Sequence, residues 1–167
     1  MLTEICGYLK NWFNREPNGT DYPKFRGDFV VSNGVIKWDS GADLPLHEGQ
    51  YYRIIGGVFN NGGVYRFMLH PPSQETAAGE LPKDEAFTGE VWSMAVPPDV
   101  VAIAEEIAKW NEANGKADSA AMSPFNSESF GGYSYSKSGG GGSSSGNRTG
   151  ITWVDVYGAR LTRYKKL

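Results

Sequence analysis

Apolar residues near the N-terminus recur every three or four positions along the chain: Ile5, Tyr8, Leu9, Trp12 and Phe13. This spacing places them on one face of a helix. The pattern therefore predicts a helix over residues 3–13, with Thr3 as its N-cap.

The pattern then changes to short aromatic and β-branched runs, which are typical of strands. Five such runs are present: Phe25–Val31, Val35–Trp38, Tyr51–Phe59, Val64–Met68 and Phe87–Val96. Asn33-Gly34 is the usual signal for a two-residue hairpin turn, and Asn60–Gly63 provides a second turn. Five short strands with tight turns predict a strongly bent antiparallel sheet or an SH3-like barrel.

A helical period returns after Pro97. Pro98 suits the first turn of a helix, and Gly115 suits the position after its end, so a helix is predicted over Pro98–Asn114. A third helix begins near Thr152, because Thr152 and Asp155 have the spacing of a capping box. Its apolar face is Trp153, Val156, Tyr157, Leu161 and Tyr164.

The predicted fold class is therefore α+β, with a small helical core of three main helices. That core comprises residues 1–23 and 97–167, and a five-stranded antiparallel SH3-like barrel or bent sheet is inserted at 24–96. Residues 137–150 are rich in Gly and Ser and predict a flexible linker. Three short helices make a thin core alone, so an oligomer would supply further burial.

Charge is unevenly distributed along the chain of 167 residues, whose net charge is −3. From Arg148 onward there are five Lys or Arg residues and one acid, Asp155. A basic end on an acidic body could bind phosphate or an acidic partner, or could simply complement the dipole of a helix C-terminus.

Cys6 is the single cysteine, and His47 and His70 are the only histidines. A zinc site of the usual Cys/His kind cannot be built from them, and we predict neither a metal nor a cofactor. The N-terminus lacks the plan of a signal peptide, and no apolar run approaches the length of a membrane span. We expect the protein to be made and used in the cytosol.

Candidate catalytic patterns are weak, and we predict that the chain is not an enzyme. Neither histidine lies near a Gly-x-Ser-x-Gly motif. Gly141 and Gly146 have the spacing of a phosphate-binding loop, but the Lys that should follow is absent. Acid pairs such as Glu105-Glu106 indicate a solvated surface. A carboxylate-dependent hydrolase stays open as an alternative that nothing in the sequence favours.

The aromatic residues of the strand region support a second alternative, a small β-barrel module that binds nucleic acid or a peptide. Tyr51-Tyr52 and Trp12-Phe13 could form a stacking platform for bases. Nucleic-acid binding normally needs cations between such rings. The candidates are Lys24, Arg26, Lys37, Arg53 and Arg66, with acids among them.

The segment from Phe125 to Tyr135 combines serine and glycine with aromatic anchors, which a plain linker would lack. The alternation Tyr133-Ser134-Tyr135-Ser136 places both tyrosines on one side of an extended chain. Gly131-Gly132 allows a tight bend or a close backbone approach. The segment is therefore predicted to be a short ordered strand or strap that lies on an apolar surface.

The run Ser127–Ser136 resembles a segment common in the head–tail connector (adaptor, head-completion) proteins of tailed bacteriophages. In that family the segment follows a helix and precedes a C-terminal helix with basic and aromatic residues, as Trp153–Leu167 does here. The resemblance covers the chain from Val96 onward. This chain departs from the family pattern at Gly132, where an acidic residue is expected, and in the β module at 25–96.

The resemblance implies a structural protein of a virion or prophage that joins the DNA-filled head to the tail. It would form a twelve-fold ring under the portal protein, contact a tail-side completion protein, and let DNA pass without specific binding. It would occur in the host bacterial cytoplasm during assembly and then in the virion. The expected partner contacts are Phe125, Phe130, Tyr133, Tyr135, Trp153, Tyr157, Arg160, Leu161, Arg163, Tyr164 and Lys165.

Overall fold

The computed structural model of the protein describes residues 1–16, 19–72, 81–114, 127–130, 133–136 and 151–166. The helices in these ranges are α1 (Leu2–Leu9), α2 (Pro98–Asn114) and α3 (Trp153–Leu161), and a 3-10 turn (Thr162–Tyr164) follows α3. The strands are β1 (Lys24–Ser32), β2 (Val35–Trp38), β3 (Tyr51–Ile55), β4 (Val64–Arg66), β5 (Glu85–Met94), β6 (Ser127–Phe130) and β7 (Tyr133–Ser136).

The chain divides into two compact units, which we call the sheet unit (Leu2–Pro97) and the helical unit (98–167). The sheet unit contains α1 and β1–β5. The helical unit contains α2, the β6–β7 pair and α3.

Strands β1–β5 form one antiparallel sheet in the order β2-β1-β5-β3-β4. The predicted turn at Asn33-Gly34 is confirmed. Both residues have positive φ, 49° and 77°, as a type I′ turn requires. The long strands β1 and β5 lie next to each other and form the middle of the sheet.

The hydrophobic core of the sheet unit lies around Phe29, whose ring stacks on Trp38 with centroids 4.7 Å apart. The ring centroid of Phe87 lies 5.3 Å from that of Phe29. Gly27 leaves room for Trp38, since a side chain at Gly27 would approach the indole to 3.0 Å. The buried members of this core are Phe29, Val31, Ile36, Leu44, Leu46, Tyr52, Ile54, Tyr65, Phe67, Phe87 and Val91.

Helix α1 belongs to the sheet unit. Its buried residues are Ile5, Cys6 and Leu9, and the Val64 amide of β4 donates a 3.0 Å hydrogen bond to Thr3 Oγ1. The helix ends at Leu9, earlier than predicted. Lys10 adopts φ 50°, and the Asn11 amide donates back to the Cys6 carbonyl at 3.1 Å, as in a Schellman motif.

The predicted fold class is wrong in its central feature, although the coarser description as α+β holds. We expected three helices to form one core with a barrel inserted between them. Instead α1 packs in the sheet unit, because an amphipathic stripe can cover a sheet as well as a helix. The predicted SH3-like barrel is also not found, since β2 and β4 are the two edges of the sheet and do not pair with each other in the described residues.

In the helical unit, α2 has the predicted bounds, and its buried stripe is Val100, Ile103, Ala104 and Ile107. The predicted capping box at the start of α3 is confirmed, because the Thr152 amide donates a 2.9 Å hydrogen bond to Asp155 Oδ2. The predicted linker at 137–150 lies outside the described residues.

Candidate functional site

Helices α2 and α3 contact each other, and this contact involves several residues that the sequence assigned to partners. Leu161 is fully buried. Arg160 makes a bidentate ion pair with Glu106 of α2, at 2.5 and 3.0 Å. Arg163 bonds Asp99 at 2.7 Å. Both arginines are thus paired with acids of α2, although their side chains stay exposed to solvent.

The Arg160–Glu106 pair perturbs both groups. The hydrogen bond from Arg160 holds the pKa of the Glu106 carboxyl below its usual value, and the same bond raises the pKa of the guanidinium. Both side chains are about half exposed, so the pair should contribute little to stability.

A cavity of about 500 Å³ lies between α2 and α3. Its walls include Ala102, Ile103 and Ala159, and the ion-paired side chains of Arg160 and Arg163 lie at its rim.

The other predicted contacts are distributed as follows. Trp153, Tyr157 and Tyr164 are half-buried, while Lys165 is exposed. Phe130 ends β6, and Tyr133 and Tyr135 lie in β7. Phe125 lies outside the described residues. Whether any of these residues contacts a partner stays a prediction.

The segment between α2 and α3 forms an antiparallel pair of four-residue strands, β6 and β7. Phe130 pairs with Tyr133, and Glu128 pairs with Tyr135. No third strand joins this sheet in the described residues. A two-stranded hairpin is marginal by itself in water, so it needs a further surface to lie on.

A second feature, which the sequence did not reveal, is the loop Gly56–Gly63 between β3 and β4. The sequence pattern placed Val58 and Phe59 at the end of a strand, but both are exposed. The Glu85 carboxylate accepts hydrogen bonds from the amides of Val58 (2.8 Å) and Phe59 (3.1 Å) and holds the loop. The only local signal was the unusual set of glycines on both sides of an apolar pair.

A third feature is a cluster of cations and tryptophans on the sheet unit. The Arg53 guanidinium lies 3.4 Å from the centroid of the Trp12 ring and 5.6 Å from that of Trp92. Lys24 lies 4.8 Å from the centroid of Trp92. These contacts bring together residues from the region after α1 and from β1, β3 and β5.

The sequence suggested a stacking platform of Tyr51-Tyr52 and Trp12-Phe13, and whether these rings bind a ligand stays a prediction. The contacted ring faces of Trp12 and Trp92 carry the protein's own cations, and Lys24 is also paired with Asp21 at 2.9 Å. Of the proposed ring pairs, Tyr52 and Phe13 are buried. These cation–π contacts therefore hold the segment after α1 on the sheet.

The remaining chemical groups show no assembled reactive site in the described part of the chain. Both histidines are exposed, and no group of three His, Cys, Asp or Glu side chains is placed to hold a metal ion in those ranges. Cys6 is buried, and desolvation raises the pKa of its thiol to about 12 despite the nearby Arg53. A thiol with that pKa is a poor nucleophile at neutral pH.

None of the described helices combines the length and the apolar character needed to cross a membrane. Comparison of the chain with protein-family models, with curated proteins and with solved structures gives no match. The function must therefore be argued from the residues and their geometry.

Proposed function

We propose that the chain is a head–tail connector protein of a tailed bacteriophage or prophage, which docks on the portal as a ring. The observation that carries this proposal is the β6–β7 hairpin between α2 and α3, a two-stranded sheet with no further strand in the described residues. Such a hairpin gains stability when a partner covers it or adds a strand to its edge. In a ring, each neighbouring copy supplies such a surface.

The order of elements supports the same proposal. The family pattern is a helix, then the Ser127–Ser136 segment, then a C-terminal helix. The chain has α2, β6–β7 and α3 in that order. This support concerns residues 98–167 alone, and the sheet unit is an addition whose role the family pattern does not supply.

The contacts of α3 refine which of its residues remain for a partner. Leu161 is buried, and Arg160 and Arg163 are paired with acids of α2. The exposed candidate on α3 is Val156. Deletion of residues 151–167 would therefore be a poor test, because it would also uncover apolar surface on α2.

A sharper test uses the full chain and the portal protein encoded by the same genome. We expect portal particles mixed with the wild-type chain to carry an added ring in negative-stain images. The double variant Tyr133→Ser/Tyr135→Ser should lose the ring while retaining the circular dichroism spectrum of the wild type. The matched control Ser134→Ala/Ser136→Ala changes the alternate positions of the same strand and should still dock.

Two outcomes would contradict the proposal. The first is a wild-type chain that does not bind the portal at any concentration tested. The second is a tyrosine double variant that forms the ring as well as the wild type does. The gene should also lie beside genes for a portal, a large terminase and a capsid protein, and their absence would count against the connector function.

A further inference from the structure

The loop Gly56–Gly63 presents two apolar side chains to solvent. Val58 is 82% exposed and Phe59 is 64% exposed, the two most exposed of the large hydrophobic residues in the described ranges. We call this pair the knob. Single exposed apolar residues are normal on protein surfaces, but two consecutive ones at the tip of a loop form a contiguous patch.

The knob is held in place by a polar network beneath it. Glu85 accepts the amides of Val58, Phe59 and Asn60, the last at 3.0 Å. Asn60 is buried, and its side chain donates to the Lys83 carbonyl and accepts the Lys83 amide, both at 2.8 Å. A loop fixed by this many hydrogen bonds loses little further entropy when a partner covers its tip.

An apolar depression of about 360 Å³ lies beside the knob on the same unit. Its lining is Arg26, Gly27, Ile55, Gly56, Thr88, Gly89 and Glu90. Gly56 has φ 101°, and a Cβ there would lie 2.9 Å from the Thr88 carbonyl oxygen, so this wall must stay bare backbone. The depression is therefore a fixed feature of the packing between β3 and β5.

The loop that carries the knob also lines the depression, through Gly56. Gly56 lines the depression and precedes Val58 by two residues, so the two lie within roughly 7 Å along the chain. The rim carries one cation, Arg26, and one anion, Glu90, which are paired with each other. A contact across a two-fold axis places the same patch on both copies, so the patch must be complementary to itself: a projection is matched by a recess, and a cation by an anion.

We propose that this patch binds a second copy of the same chain across a two-fold axis. The Val58–Phe59 knob of each copy enters the depression of the other. Arg26 of each copy then faces Glu90 of the other across the contact. A two-fold contact cannot be repeated around a ring, so it concerns the protein before it docks. It goes beyond the connector function and does not depend on it.

The size of the patch predicts a weak dimer. A knob of one Val and one Phe exposes on the order of 250 Å² of side chain. Two knobs, together with the surface that they cover, bury on the order of 1,000 Å², which is at the low end for specific complexes. A contact of this size is typical of weak and transient association, so the dimer should form only at high protein concentration.

Sedimentation equilibrium of the full chain from about 10 µM to about 1 mM tests the proposal. The average mass of the wild type should rise towards that of two chains and not beyond. Phe59→Asp and Val58→Asp should each keep the monomer mass throughout. The matched control is Leu69→Asp, since Leu69 is also a large exposed hydrophobic residue, 54% exposed, but lies outside the patch. That variant should still dimerise.

A wild type that stays monomeric, a species larger than two chains, or equal dimerisation by the Asp variants would each overturn the proposal. So would loss of the dimer in the Leu69 control. Near-ultraviolet circular dichroism verifies that each variant is folded. Because none of these measurements uses the portal, their failure is distinguishable from failure of the connector function.

Cross-linking tests the pairing of the two surfaces. A chain with Val58→Cys mixed with a chain with Thr88→Cys should give a disulfide-linked heterodimer under mild oxidation. The native Cys6 is fully buried and should not compete. A mixture that yields no more linked product than each chain alone would show that the knob does not enter the depression.

Discussion

The two units of this chain are held together in different ways. The sheet unit has a large aromatic and aliphatic core, and a buried polar network fixes one of its loops. In the helical unit, α2 buries Val100, Ile103, Ala104 and Ile107, α3 buries Leu161, and two exposed ion pairs join α2 to α3 and to the turn that follows it. The sheet unit therefore has the larger described core, and a partner that covers the helical unit stays a prediction.

The largest expected effect is a loss of core packing in the sheet unit. Phe29→Ala should lower the free energy of unfolding of that unit by about 3–5 kcal/mol, because Phe29 is fully buried between Trp38 and Phe87. Urea denaturation followed by tryptophan fluorescence measures the loss. Phe25→Ala, at a half-buried position on the edge of the same core, should cost less. Equal losses in the two variants would contradict this account of the core.

The next effect should be confined to the helical unit. Leu161→Ala removes the one fully buried side chain of α3 and should cost about 2–3 kcal/mol, the low end for a buried leucine. Hydrogen exchange should then show faster exchange in α2 and α3, with β1 and β5 unchanged. Val156→Ala is the control, since Val156 is exposed on the same helix. Faster exchange in β1 and β5 would mean that the two units do not unfold separately.

A smaller effect is expected from the anchor of the knob. Glu85→Gln should lower the free energy of unfolding by about 1–3 kcal/mol at pH 7, because the amides of the loop lose a charged acceptor. Glu4→Gln, at an exposed position of α1, is the control and should change little. Urea denaturation at several pH values measures both variants.

The pH dependence of that effect follows from the pKa of Glu85. Desolvation acts to raise this pKa, but the hydrogen bonds from Phe59, Val58 and Asn60 lower it below its usual 4.5. A carboxyl with a lowered folded-state pKa contributes stability above its usual pKa and loses it as the pH falls through the lowered value. The difference between wild type and Glu85→Gln should thus shrink below about pH 4.5. A difference that does not shrink as the pH falls below the usual pKa of Glu85 would contradict this role.

Local signals allowed several elements to be predicted from the sequence. Helix α2 has the predicted bounds because Pro98 and Gly115 mark its ends chemically. The turn at Asn33-Gly34 and the capping box of Thr152 and Asp155 were likewise predicted, because both depend on residues at most three positions apart. In each case the residues that cause the structure lie at or next to the element itself.

Non-local causes explain what the sequence could not predict. The stripe of Ile5 and Leu9 shows that α1 buries one face, but not whether a helix or a sheet covers it. The strand pattern after Tyr51 suggested a continuation to Phe59. The loop instead turns away from the sheet because Glu85, far along the chain, binds its amides. The sequence likewise does not show that Arg160 pairs with Glu106 and Arg163 with Asp99, because these partners lie more than 50 residues apart.

The smallest expected effect concerns the ion pairs of the helical unit. It tests whether charge holds α2 and α3 together. Glu106→Gln, Arg160→Gln and the double variant form a cycle on a pair whose side chains are about half exposed. We expect their unfolding midpoints in urea to differ little from that of the wild type, and 1 M NaCl to change them little, because exposed pairs contribute weakly and are screened by salt. The same cycle on Lys37 and Asp43 of the sheet unit is the control. A strong coupling between Glu106 and Arg160, absent from the control pair, would mean that the helical unit holds its own geometry through charge. In that case the helical unit would not need a partner to hold α2 and α3 together.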